Sequence, residues 1–173
     1  MMRYFLILSL LVGAMAFSGC EETVDLEKER AAIIAVINQE TDAYLARDFD
    51  AVIATHVHDS LNMRLTAGAD NYVFLQGWDE IERHLTGDET EDDLSPDLHI
   101  TVEKSNYRMK IYPQSAFVVC DQLWTSTFGD DVNEIESIQV RFMEKIEDEW
   151  KISFVSWIGT SGYMDDETEE LFD

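Results

Sequence analysis

The sequence predicts an α+β fold, with helices in the first half of the chain and an antiparallel sheet in the second. Three observations lead there. Apolar residues between positions 26 and 46 recur every three or four residues, the period of a helix with one buried face. From position 98 onward, runs rich in β-branched and aromatic residues alternate with turn signals at hairpin spacing. Helices grouped first and strands grouped afterwards, rather than alternating, define this class.

Each element has its own signal. Glu21 to Asp25 form an acidic tether. In the first helix, Leu26 to Ala46, the stripe is Leu26, Ile33, Ile34, Ile37, Tyr44 and Leu45, with Glu27, Lys28, Asn38 and Asp42 between. Asp48 or Asp50 can cap a short second helix, Phe49 to His56. Leu61 to Thr66 alternate as a strand, setting Leu61, Met63 and Leu65 against Asn62, Arg64 and Thr66. A turn over Gly68 to Asn71 leads to a short extended segment, Tyr72 to Gln76. A third helix, Gly77 to Leu85, has Trp78, Ile81 and Leu85 on one side. Gly87 to Asp97 break the pattern with six acids and Pro96. Four strands follow: Leu98 to Tyr112, Ala116 to Phe128, Glu134 to Ile146 and Trp150 to Ile158. The domain so delimited spans 26–160, and 161–173 form an acidic tail in which Leu171 and Phe172 could dock.

The first 19 residues read as a secretory signal peptide: Arg3, an apolar stretch from Tyr4, then small residues from Gly13 to Gly19. The apolar run to Phe17 is about 14 residues, short of the roughly 20 that a membrane-spanning helix needs. Phe17-Ser18-Gly19-Cys20 resembles the lipobox of bacterial lipoproteins, with Phe17 in place of the commoner Leu. The resemblance implies cleavage before Cys20 and a diacylglycerol on its sulfur. The partner would then be a membrane, reached through lipid rather than protein. Glu21 follows, not Asp, so the resemblance implies export to the outer membrane rather than retention at the inner one.

Charge narrows the partners. The chain has 36 Asp and Glu against 12 Lys and Arg; removing Arg3 with the signal leaves 11 cations and a net charge of −25. Such a surface repels nucleic acid. Once Cys20 is acylated, Cys120 has no thiol to pair with, and its apolar setting, Ala-Phe-Val-Val-Cys, suits a small buried hydrophobe.

The stretch from Glu29 to Trp157 is similar to the nuclear transport factor 2-like superfamily, which includes the SnoaL-like cyclases and ketosteroid isomerase. The matching pieces are a long first helix ending in Ala46-Arg47-Asp48, then Phe49-Asp50-Ala51-Val52-Ile53-Ala54. Gly77-Trp78-Asp79-Glu80-Ile81 opens the third helix, and Val140-Arg141-Phe142-Met143-Glu144-Lys145 with Glu149-Trp150-Lys151-Ile152 close the run. The resemblance implies a curved sheet wrapped round the long helix as a cone with an internal pocket, commonly in homodimers. It also implies that the isomerase's general-base position falls on Arg64 and its oxyanion-donor position on Glu40. An arginine stays charged and cannot act as that base.

By that geometry Tyr44, Arg64, Tyr72, Trp78, Trp124, Arg141 and Trp157 are candidates to line the pocket. Arg64 and Arg141 are cations within apolar strands. They either present paired donors to an anion, or pair with Glu40 or a neighbouring acid, or face solvent. The parity of Arg64 with Asn62 and Thr66 favours solvent for that residue. His56 and His58 form a His-x-His pair, but a helix end and a loop suit imidazoles better than a metal does. The acidic loop lacks the glycine and closing glutamate of an EF-hand. No metal or cofactor is expected. Trp150 and Trp157 have opposite parity and so are expected on opposite faces. Two functional classes follow: an envelope module that binds a small molecule in its cone or a partner through its sheet, and a small cone-fold enzyme using pocket Asp, His or Tyr residues.

Overall fold

The computed structural model describes residues 25–68, 71–87 and 97–160. The signal peptide, Cys20 and most of the tether, the core of the acidic loop and the tail at 161–173 lie outside them.

Helix α1, Leu26–Leu45, starts at Asp25, whose carboxylate accepts from the Lys28 amide at 3.2 Å. Helix α2 is shorter than its sequence suggests, Phe49–Ala54, and Asp48 rather than Asp50 caps it through the Ala51 amide. It ends early because the Thr55 hydroxyl turns back to the Val52 carbonyl and His56 bridges to Ile152 on the sheet. Helix α3, Trp78–Thr86, follows Gly77, which sits at φ 88°, a conformation that favours glycine.

The strands are β1 Met63–Ala67, β2 Tyr72–Gln76, β3 Leu98–Ile111, β4 Ser115–Phe128, β5 Asp131–Ile146 and β6 Glu149–Gly159. They form one sheet in the order β2-β1-β6-β5-β4-β3. All neighbours are antiparallel except β1 and β6, which run parallel. Strand β1 starts two residues later than expected. Leu61 is exposed in a turn held by Asp59, and buried Asn62 donates to the carbonyls of Val57 and Ile152.

Two apolar clusters hold the fold. Ile33 and Ile37 of α1 pack on Ala116, Val118, Met143, Trp150 and Ile152 of the sheet. Ala43 and Val52 meet Trp78, Ile81 and Leu85 of α3. Polar ties fix the start of α1: Glu29 accepts from the Trp150 indole at 2.6 Å and from Lys145 at 2.7 Å.

A bulge in β6 decides which side chains face inward. Phe142 pairs with Phe154 but Met143 pairs with Ile152, so Ser153 is an extra residue. The extra residue reverses the parity between Trp150 and Trp157. The two are therefore on the same face, correcting the expectation of opposite faces: Trp150 in the core and Trp157 beside Gln139.

Candidate functional site

Beyond Ile37 the apolar stripe of α1 gives way to Glu40, Thr41 and Tyr44, still on the sheet-facing side. The sheet changes at the same level. On β5, Met143 is followed inward by Arg141 and Gln139, and on β4 Val118 gives way to Gln122 and Trp124. Between them lies a cavity of about 320 Å³. Its walls are Tyr44, Trp124, Ile135, Val155 and Trp157, with Arg64, Arg141, Glu40, Thr41, Gln122 and Gln139 as its polar groups.

Arg141 lies at the base of this cavity and is only 1% exposed. Its Nη2 donates to Glu40 Oε2 at 3.0 Å and to Gln139 Oε1 at 2.8 Å; its Nε donates to the same Gln139 oxygen at 3.2 Å. Its Nη1 is buried with no partner. Burial alone would raise the Glu40 pKa, but the charges of Arg141, of His56 once protonated, and of Arg64, with the hydrogen bond from Arg141, hold it down at about 2. Glu40 is therefore a fixed anion, far too weak a base to take a proton at neutral pH.

Arg64 enters from β1. It pairs in register with Val155, an inward residue, and so points to the cavity rather than to solvent. The polar parity of β1 is thus an inner one: Arg64 and Thr66 both line the cavity, and Leu65 borders it as well. Arg64 forms no ion pair among the described residues, and its Nε is buried without a partner. Lys104 adds a further cation from β3. Its ammonium donates to the Thr41 hydroxyl at 2.5 Å, and burial lowers its pKa to about 8.

His56 is buried next to this cluster. Its Nδ1 lies 3.1 Å from the Val52 carbonyl, which places the proton there and leaves Nε2 as an unpartnered acceptor. Burial pushes its pKa down to about 4, so it is neutral near pH 7. His58 is engaged separately, stacked on Trp78 at 4.2 Å with Nε2 at 2.8 Å from the Ile53 carbonyl. Cys120 is buried and its thiol pKa is raised by that burial.

Five of the seven residues singled out in the sequence line the cavity: Tyr44, Arg64, Trp124, Arg141 and Trp157. Two do not. Tyr72 is 74% exposed on the edge strand β2, and Trp78 is buried in the α3 cluster under His58. Thr41, Gln122, Gln139 and Lys104 were not singled out. Gln139 shares parity with Arg141, and Thr41 follows Ile37 by one helical turn, so both carried a readable signal.

The six-stranded curved sheet around a long helix is the nuclear transport factor 2-like, cystatin-like α+β fold. Solved structures share it at low sequence identity. The β subunit of benzoate 1,2-dioxygenase from Burkholderia mallei matches with a TM-score of 0.65 and 16% identity, over 84% of this chain and 97% of that one. A nuclear transport factor 2-like protein with a cystatin-like fold from Novosphingobium aromaticivorans matches at 0.63 and 14%, over 86% and 91%. A ketosteroid isomerase-like protein from Erwinia carotovora atroseptica matches at 0.54 and 18%, over 76% and 95%. No protein-family model and no curated protein matches the sequence. The fold occurs in an enzyme subunit and in a protein of unknown function alike, so activity has to be argued from the site.

Proposed function

We propose that the protein is an exported, lipid-anchored cell-envelope protein whose cone binds a small molecule without transforming it. The observation that carries the binding role is an open cavity whose one carboxylate, Glu40, is tied to Arg141. A proton-transfer enzyme needs a group poised near the working pH. Glu40 is held far below it, and His56 is neutral, weakly basic and behind the cavity wall. Rigid donors with aromatic walls suit recognition instead. The location rests on Phe17-Ser18-Gly19-Cys20 after an apolar stretch. Acyl chains on Cys20 would hold the domain at a bilayer, the outer membrane for preference. Native mass spectrometry of the purified chain tests the binding role: a bound mass that disappears on denaturation is expected. Palmitate labelling tests the anchor, and label persisting in Cys20→Ser would reject it.

A second reading concerns partners. The outer face of β4, β5 and β6 presents Phe117, Val119, Val140, Phe142, Phe154 and Ile158, and Phe117 and Phe142 are exposed. A contiguous apolar sheet face of this kind marks an interaction surface, and a homodimer through the sheet is the assembly that it supports.

A further inference from the structure

We infer that the cavity ligand is a small organic anion, a carboxylate carrying a compact apolar body, and that Arg64 is its anchor. The inference rests on the small-molecule reading above and specifies the ligand class. Charge provides the first argument. The charged groups lining the cavity are Arg64, Arg141 and Glu40; Lys104 sits beside it, bonded to Thr41 and facing the charges of Glu40 and Asp42, and His56 is neutral near pH 7. Arg141 and Glu40 neutralise one another across 3.0 Å. That leaves positive charge in excess inside a protein whose overall charge is −24. Desolvated cations without partners are costly, and an incoming anion removes that cost.

Hydrogen bonding provides the second argument. Two guanidinium N–H groups, Arg64 Nε and Arg141 Nη1, are buried without acceptors. The Arg141 side chain is 1% exposed and held in place by Gln139 and Glu40, so its free donor is preorganised. A guanidinium matches the planar, two-oxygen acceptor of a carboxylate. Arg64, which feels the charge of Glu40 but forms no ion pair among the described residues, is the group free to give such a fork.

The remaining wall decides what the anion carries. Tyr44, Trp124, Trp157, Ile135 and Val155 surround the polar end with apolar and aromatic surface. A cavity of about 320 Å³ lies at the small end of the range for ligand pockets, roughly 300–1,000 Å³. That suits a single-ring or short-chain acid better than a lipid or a peptide. Inorganic phosphate would satisfy the donors but leave the aromatic wall unmatched.

Isothermal titration of the full chain in detergent with phenylacetate, phenylacetamide, hexanoate, hexanamide and inorganic phosphate tests this. The acids should bind roughly tenfold or more tightly than their amides, as a charge-assisted hydrogen bond implies, and phosphate should bind more weakly than either acid. Arg64→Met should remove the preference for acid over amide, while Arg64→Lys should keep part of it. Amides binding as well as acids, phosphate binding best, or a neutral compound co-purifying would each overturn the inference and leave the small-molecule reading standing. Binding of no probe, with no co-purified ligand, would overturn both. The acid–amide comparison needs no variant, so a misfolded Arg64→Met does not weaken the test.

Discussion

The two faces of strand β5 invert the usual arrangement of a half-exposed sheet. Over its middle, Gln139 and Arg141 point inward while Val140 and Phe142 point outward. A few residues further on, the inward position is Met143, packed under Ile33 and Ile37. One end of the cone is therefore an ordinary apolar core and the other is a polar chamber with an apolar exterior. Burying polar groups and exposing phenylalanine both cost stability. A fold that carries both matches the roles proposed for the two faces, a ligand inside and a partner outside.

The ion pair at the junction should show the largest effect. Arg141→Met leaves Glu40 charged and buried without its partner, so a loss of about 3–5 kcal/mol is expected in urea denaturation. Glu40→Leu combined with Arg141→Met should recover most of that loss, since an apolar pair often replaces a buried ion pair at no cost. If the double variant is as unstable as the single one, the pair is not a local charge-compensation device.

Acid comes next. His56 has its folded pKa below the usual histidine value, at about 4. The unfolded chain therefore takes up that proton first, and the stability is present above about pH 6.5 and is lost on acidification toward pH 4. Glu40, held at about 2, contributes above its usual 4.5 and loses that contribution as the pH falls toward 2. Each step is on the order of 3 kcal/mol at full extent. Urea midpoints should thus fall in two stages between pH 7 and 2; His56→Asn should remove the upper stage and, because protonated His56 helps hold Glu40 down, move the lower stage toward higher pH.

On the outer face the effect should move from folding to association. Phe142→Asp changes an exposed side chain, so the monomer should keep its stability within about 1 kcal/mol. Self-association measured by sedimentation should weaken by roughly tenfold or more if this face is the contact. Back inside, Arg64→Met removes a buried Nε–H that has no acceptor but also a charge that favours ionised Glu40, so thermal stability without ligand should change by less than about 1 kcal/mol. A clear loss of stability would mean that Arg64 is structural.

Most of this architecture was legible because local signals agreed with it. Asp48 sits where α2 starts, and hairpin turns delimit β3 to β6, whereas Asp25, read as the end of the tether, proves to cap α1. The inner and outer faces were harder. Alternation says that β1 has two faces but not which is inside. Arg64 shares parity with Asn62 and Thr66, and polarity alone sends that side to water, whereas the fold turns it inward. Trp150 and Trp157 were misassigned for a different reason: the extra residue at Ser153 depends on the pairing with β5 and leaves no mark in composition. Lys104 meets Thr41 across 63 positions of sequence, a contact that only the tertiary fold creates. Tyr72 and Trp78 have the residue types of a pocket wall, but an edge strand and a helix cluster claim them instead.

The smallest effect tests whether the outer face is covered. Arg108 and Asp121 form an ion pair there at 2.5 Å, with side chains 59% and 40% exposed. Water screens such a pair, and Asp121 also accepts from Asn106 at 2.7 Å, so the carboxylate keeps a partner when the arginine is removed. Arg108→Ala should therefore cost less than about 0.5 kcal/mol in dilute solution, and less still in high salt. Their strands also carry Val119 and Phe117, which belong to the apolar face. If a second copy docks on that face, it desolvates its surroundings, and the cost of Arg108→Ala should grow as protein concentration rises through the association range. A cost that is equally small at every concentration would separate this pair from any dimer contact and place the boundary of the interface between Arg108 and Phe117.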